Sequence, residues 1–512
     1  MRPPDSDSRF WVLGLVLALG VMGWGFSRDF TAPWTDNVDA NGAAWSQSAH
    51  NTLRAGLRAT AGVPSAFYFG SLAIPPDGYY THHPPTLSLM LTGMFAMLGE
   101  KEWVARLLPI GFSFAGVVLL WLLVKQCAGR RAAAFAVIVF ASAPMELVYG
   151  RMVNFEPVVL VWMLASLLSL RRWESFRSAA WRNAAAAFLV LAMWTAWLGY
   201  LFALTLCIYF LIARHDRRPR FALSLITLAV LSLVLFFLHI RLANPDAWRD
   251  LMASFNERLA RAGIEVAWSD WGKRMAVSLT DHIAPAAWAL GAAGAAVAWS
   301  RRRKDVSLRW LGWAAFCFAV FSAFYVTVFR NASMIHDYAG FFFTVPVAMM
   351  AGVAIDALAA WCALRGCGWR LAGVFSLLAL SFFLIITGER QALALRSPFR
   401  ILDGEKTEVD ELIPALGRAI RAQFPEDTNV ICNFLRYYGP QLHYYAQRDL
   451  ITGVMTHEDW AEMLADESNA PLGGVIWTGD ADARDVLAHL PPGTSEGVEV
   501  SGEQFVFWKP GK

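Results

Sequence analysis

Apolar stretches about 20 residues long, separated by short Arg- and Lys-rich loops, constrain this chain more than any other feature. A helix needs about 20 apolar residues to cross the hydrocarbon core of a bilayer. Phe10–Ser27, Val104–Val124, Phe221–Leu242 and Leu371–Thr387 are the clearest runs. Backbone in lipid must satisfy its own hydrogen bonds, so such runs fold as helices. Of the 512 residues 56% are hydrophobic and only 17% charged, less charge than a soluble domain of this length carries. More apolar runs follow the first, which therefore reads as an uncleaved anchor and not as a signal peptide. The six Cys have no spacing that implies a disulfide framework or a zinc site.

Basic short loops mark the cytoplasmic side of a membrane protein. The chain offers Lys125 with Arg130 and Arg131; Arg171, Arg172, Arg177 and Arg182; Arg214, Arg217, Arg218 and Arg220; Arg301, Arg302, Arg303 and Lys304; and Arg365 with Arg370. Between consecutive clusters lies enough apolar sequence to cross out and back. The outer loops are then Arg28–Trp103, Tyr149–Glu156, a tight turn at Met193–Tyr200, Ala243–Asp281, Arg330–Asp337, and everything after Thr387. Counting Pro84–Leu98 as a full span would put the basic loop after Val124 outside. This short segment starts on two prolines, which suit a helix start. It is therefore expected to be an interfacial or re-entrant helix at the outer face.

The expected fold class is mainly α: a polytopic transmembrane bundle of about 11 to 13 spans, with a small non-cytoplasmic α/β domain. Residues 1–388 would form the membrane domain, with a first outer loop at 28–103, and residues 389–512 the outer domain. The N-terminus would be cytoplasmic and the protein seated in the inner (plasma) membrane. The outer segment holds 20 acids against 11 bases, while the rest of the chain is basic. Within it, Thr407–Gln423 reads as an amphipathic helix and Asp480–Leu490 as another. Asn429–Asn433, Gly474–Thr478 and Gln504–Trp508 read as strands. Asp480 and Asp482 match a loose DxD pattern without any nucleotide-binding context. Nothing points to nucleic acid.

The residues that could carry chemistry gather in the outer loops. The first loop holds Asp36 and Asp39 before an amphipathic helix at Asn41–Leu57, then Tyr79-Tyr-Thr-His-His-Pro-Pro85. The second, very short, holds Arg151 and Glu156 at a membrane boundary, where an ionisable group is costly unless paired or facing a polar cavity. A later loop holds His336 and Tyr338. Each has a plain structural reading. Asp36 and Asp39 could cap a helix, Glu156 could answer a helix dipole, and the histidines could be interfacial polar residues. Asn331-Ala-Ser333 matches a glycosylation sequon, a triplet common by chance. Together, however, carboxylates, a His pair and an Arg on one face suit transfer of a group from a phosphate leaving group to a hydroxyl. A carboxylate would serve as base for the acceptor, and cations would stabilise the departing phosphate.

In motif order the chain resembles a known family. Asp39, His82-His-Pro-Pro85, Gly99-Glu-Lys-Glu-Trp-Val-Ala-Arg-Leu-Leu-Pro109 and Tyr149-Gly-Arg-Met-Val-Asn-Phe-Glu-Pro157 look like the GT-C membrane glycosyltransferases. The branch is that of the protein O-mannosyltransferases and bacterial aminoarabinose transferases. The resemblance implies a polyprenyl-phosphate-linked sugar donor and an inverting transfer on the outer face. It implies that the first-loop acid is the base, placed on Asp39 with Asp36 in reserve, because the family's Asp-Glu pair is absent. Glu156 takes the place of the second-loop acid, usually Asp. His83 stands where the aminoarabinose transferases have Lys, and His82, His83 and Arg151 would bind the donor phosphate. His336 and Tyr338 would contact substrate. The acceptor would be a lipid, glycan or protein. No cofactor is implied beyond a divalent metal, which an Asp, Glu and His set would suit. The alternatives are a polytopic transporter or flippase for a lipid-linked or anionic substrate, and a non-catalytic glycolipid-binding envelope protein. A transporter would place ionisable groups at the midplane, whereas here they cluster at one face.

Overall fold

The computed structural model describes residues 11–35, 39–65, 73–212, 218–259, 266–365, 367–396, 409–434, 439–452, 456–465 and 471–511. Four helices are by themselves long and apolar enough to span a bilayer: Glu102–Ala128, Pro219–Ala243, Val306–Val328 and Asp337–Leu364. Trp268–His282 and Pro285–Arg301 form a pair bent by 93°. Pro285 causes the break, since proline has no amide to continue the preceding helix but suits the first turn of the next. The first member of the pair carries Asp270, Lys273 and Arg274 exposed, as a helix lying along a membrane surface would. Val12–Ser27, Arg130–Ala141, Phe155–Phe176, Ala179–Thr195, Trp197–Ile212 and Cys367–Arg396 complete the bundle. Most of these are shorter or carry charged residues, while Cys367–Arg396 is 30 residues long and contains the uncharged run 371–388. Leu223, Val230, Leu231 and Leu238 point outward and are more than half exposed, which suits a lipid-facing surface. The chain is a multi-pass membrane protein.

Three local expectations concern the outer face. The Pro84–Leu98 segment forms the helix Thr86–Leu98, about 20 Å long at 1.5 Å per residue and so too short to span. It packs on the first-loop helix, Asp39–Ala55, where Ser48 and Ser88 share a hydrogen bond of 2.7 Å. The Met193–Tyr200 turn is a one-residue break at Ala196 between two helices. The last long helix continues to Arg396, past the expected boundary at 388, and its Glu389 pairs with Arg28 at 2.9 Å.

The C-terminal region builds a five-stranded sheet from β1 (Asn429–Cys432), β2 (Asp449–Thr452), β3 (Leu472–Trp477), β4 (Gly493–Val500) and β5 (Glu503–Pro510), in the order β2-β1-β3-β5-β4. The first three strands are parallel, and β5 and β4 are antiparallel additions. Alternation along the strands separates two cores. Val430, Val475 and Phe507 face the helices Val409–Gln423 and Gly439–Ala446. Ile431, Ile476 and Trp508 face the helices His457–Ala465 and Ala483–His489. Cys127, Cys207, Cys317, Cys362 and Cys432 are free and buried.

Helices in the bundle cross closely where glycine permits. A Cβ on Gly294 would lie 1.7 Å from the Met350 carbonyl oxygen of the neighbouring helix. Small residues at such crossings replace the hydrophobic drive that lipid does not supply. Gly294→Ala should therefore destabilise the bundle by about 1–3 kcal/mol, the cost of overpacking, and lower its unfolding temperature in detergent. Gly111→Ala, where a Cβ meets nothing within 4 Å, should leave that temperature unchanged or raise it through helix propensity. Equal behaviour of the two variants would contradict the close crossing.

Candidate functional site

The first loop is held to the bundle by Arg106, which is 1% exposed in the opening turns of the Glu102–Ala128 helix. Its guanidinium donates to the carbonyl oxygens of Phe30 (3.1 Å), Ala32 (2.5 Å) and Pro33 (3.4 Å), and to Asp39 Oδ1 (3.2 Å). It also lies 4.1 Å from the ring centroid of Trp34. Five fixed donors make arginine the side chain that can clamp a turn in this way. Asp39 opens the Asp39–Ala55 helix, and its other oxygen accepts from the Thr35 amide at 3.3 Å. Asp36 lies outside the described residues.

Next to this helix the His pair is packed among aromatic rings. His83 is buried, stacked on Phe155 with centroids 4.6 Å apart and near-parallel to Tyr80 at 5.8 Å. Its Nε2 is 3.1 Å from Arg258 Nη1, so it accepts from the guanidinium and is neutral. Burial, the Arg258 charge and His82 hold its pKa well below the usual imidazole range. His82 is lowered as well, mainly by burial and then by Arg258. Its carbonyl accepts from Trp197 Nε1 at 2.6 Å. In the resting state the pair therefore supplies no cation at neutral pH.

The cation there is Arg258, at the end of the Ala247–Arg258 helix. It also donates to the Tyr80 hydroxyl at 3.2 Å. The Asn331 amide fixes this helix end by donating to the Glu257 carbonyl at 3.0 Å. Asn331 is buried, so the sequon it opens has a packing role. Sequence reasoning passed over Arg258. The available signal was a cation in a long outer loop, against the usual bias of basic residues to the cytoplasmic side.

Glu156 sits in the first turn of the Phe155–Phe176 helix, 1% exposed. Neither carboxylate oxygen has a hydrogen-bond partner among the described residues. Its charge reaches the phenols of Tyr325 and Tyr338. Buried polar groups are nearly always paired, so an unpaired carboxyl calls for an explanation. Tyr338 stacks on His336 at 5.0 Å and is hydrogen-bonded by the Asn41 side chain, two residues after Asp39. His336 has its pKa lowered by burial and then by Arg258. Among the expected residues, His82, His83, Glu156, His336 and Tyr338 thus form a chain of contacts and electrostatic neighbours, and Asp39 opens the helix beside them, in contact with Arg106 and Thr35. Arg151 donates to the Arg28 carbonyl oxygen at the end of the first helix. Among the described residues, Asp39 and Glu156 form no three-ligand metal set with a histidine.

Residues 82–241 match the family described as dolichyl-phosphate-mannose-protein mannosyltransferase. The match covers His82, His83, Arg106, Arg151 and Glu156 and leaves Asp39 and Arg258 outside it. No curated protein matches the sequence. Among solved structures, ArnT from Cupriavidus metallidurans bound to undecaprenyl phosphate aligns with a TM-score of 0.61 at 15% identity, over 98% of both chains. The archaeal oligosaccharyltransferase AglB from Archaeoglobus fulgidus, in complex with an inhibitory peptide and a dolichol-phosphate, aligns with a TM-score of 0.61 at 14% identity, over 92% of this chain and 69% of that one. The arabinofuranosyltransferase AftD from Mycobacteria aligns with a TM-score of 0.53 at 13% identity, over 99% of this chain and 40% of that one. The chain thus has the fold of these membrane proteins, and its residues 82–241 carry the signature of the mannosyltransferase family.

Proposed function

We propose that the protein transfers a sugar from a polyprenyl-phosphate donor to an acceptor hydroxyl at the outer face of the membrane, with inversion at the anomeric carbon. The observation that carries this reading is the Arg258 guanidinium held on His83 and Tyr80, with Glu156 and Tyr338 as electrostatic neighbours and the helix that Asp39 opens packed on Tyr80 through Trp45. The acceptor oxygen attacks the anomeric carbon while Asp39 takes its proton, and the bond from that carbon to the phosphate oxygen breaks. Arg106 and Thr35 orient the Asp39 carboxylate. Each carboxylate oxygen has two lone pairs, so an oriented Asp39 still has acceptor capacity. Arg258 stabilises the charge on the departing polyprenyl phosphate. It donates to two neutral groups in the resting state, and a phosphate oxygen is the stronger acceptor. A bound phosphate also favours protonation of His83, adding a second charge only when the donor is present. Glu156 accepts from sugar hydroxyls, with His336 and Tyr338 lining the same side.

The lipid form of the donor follows from where the acids lie. Nucleotide sugars are soluble and cytoplasmic, whereas the loop charges assign the candidate acids to the other face. ArnT and AglB were solved with undecaprenyl phosphate and dolichol-phosphate respectively, which supports a carrier of this class. The sugar is a hexose or pentose, and the C-terminal sheet domain stands on the extracytoplasmic side.

Purified protein in liposomes should turn over a radiolabelled polyprenyl-phosphate sugar and leave the matching nucleotide sugars untouched. Transfer from a nucleotide sugar with no lipid intermediate would overturn the proposal. In the same assay Arg258→Ala should lower kcat/KM by about 10²–10³, the usual cost of one electrostatic donor. Arg258→Lys should recover only part, because the ammonium keeps the charge but not the fork. Wild-type turnover by Arg258→Ala would remove it from the phosphate site.

A further inference from the structure

The C-terminal domain carries a second cluster that the transferase chemistry does not use. Asp485 and His489 lie four residues apart on the helix Ala483–His489, and so share one face. His457 begins the neighbouring helix, His457–Ala465, and reaches the same point. Both helices cover one face of the sheet through Trp460, Ala483 and Val486. The Asp485 carboxylate is shared. One oxygen contacts His457 Nδ1, and the other is 3.2 Å from His489 Nδ1. The two imidazoles stack with centroids 4.6 Å apart at 23°. One ligand atom from each residue can be chosen so that all lie within 4.8 Å of one another.

We infer that His457, Asp485 and His489 bind a divalent transition-metal ion, zinc being the best matched, which clips the two helices together. Two neutral imidazoles and one carboxylate are a common donor set for zinc, with water completing a tetrahedron. Zinc bonds of 2.0–2.1 Å place tetrahedral ligand atoms about 3.3 Å apart, so the cluster needs to tighten by only about 1.5 Å. Side-chain rotation can supply that much, since all three side chains are 38–56% exposed, with His489 Nδ1 giving up its 2.8 Å contact with the Asp485 carbonyl or coordinating through Nε2 instead. The mixed nitrogen and oxygen donors favour zinc, nickel or copper over magnesium or calcium, which prefer all-oxygen sites. Without an ion, the same contacts are surface His–Asp pairs that contribute at most about 1 kcal/mol. With one, the link joins residues 28 positions apart in the sequence. Binding to the folded state alone then raises stability with zinc concentration.

The test uses chelator-treated full-length protein in detergent, titrated with zinc chloride. Bound metal is counted by mass spectrometry after desalting. Wild type should hold one more equivalent than the His457→Ala/His489→Ala double variant, and zinc should raise the unfolding temperature of wild type only. Asp485→Asn, which preserves shape, should weaken binding at least ~10–100-fold, since even groups that merely orient ligands cost that much. Asp39→Asn/Glu156→Gln should keep the equivalent, which separates this site from any ion held at the transferase site. Equal zinc content and affinity in wild type, double variant and Asp485→Asn, or no zinc on wild type, would overturn the inference.

Discussion

A single buried guanidinium organises the end of the bundle that carries the candidate site. Arg106 is out of contact with water and its charge must be answered from within the protein, because an unpaired buried charge costs several kcal/mol. It is answered by the carbonyls of Phe30, Ala32 and Pro33, by Asp39 and by the face of Trp34. Satisfying Arg106 therefore determines where the chain leaves the first helix and where the next one starts. Trp34 passes the constraint outward. Its ring seats on Gly42, where any Cβ would lie 2.6 Å from it. The Trp34 amide donates to the Tyr445 hydroxyl at 2.6 Å, and that hydroxyl donates to Glu102 at 2.9 Å. Gln47 binds the Pro440 carbonyl at 2.6 Å. The sheet domain is thus docked onto the same loop that presents Asp39.

On the proposed reading, the electrostatics of the site would answer an anion that arrives with the donor. Histidine in place of lysine at position 83 would look like a loss of phosphate affinity. Stacked between Phe155 and Tyr80 and held neutral by burial and Arg258, His83 instead acts as a stand-in acceptor for the guanidinium. The site then carries the single Arg258 charge, and a second one on His83 would arise only when a phosphate displaces that contact. Such an arrangement suits a membrane boundary, where a standing unpaired cation is expensive.

Much of this was legible in the sequence because a bilayer imposes a strong pattern. Apolar length gave the long helices, and the alternation at Asn429, Gly474 and Gln504 gave three central strands. Strand β4, Gly493–Val500, escaped because it is an exposed edge with almost no apolar alternation. Strand β2 is only four residues long. Asp39 was separable from Asp36 only by family register, since two acids three residues apart look alike in a sequence. Arg258 was not legible, because its role comes from a helix end folding back more than 170 residues to the His pair. The contact of Arg151 with the Arg28 carbonyl was not legible either, because it joins residues 123 positions apart.

The most direct test of this account is a double-mutant cycle on transfer rate with Arg106→Met and Asp39→Asn, at matched levels of inserted protein. If Arg106 works by presenting Asp39, each single variant should lose about 10²–10⁴, the contribution of a general base. The double variant should then lose no more than the worse single one, as residues acting as one unit do. Near-normal transfer by Arg106→Met, or losses that multiply in the double variant, would contradict the claim that this one buried pair sets the catalytic geometry.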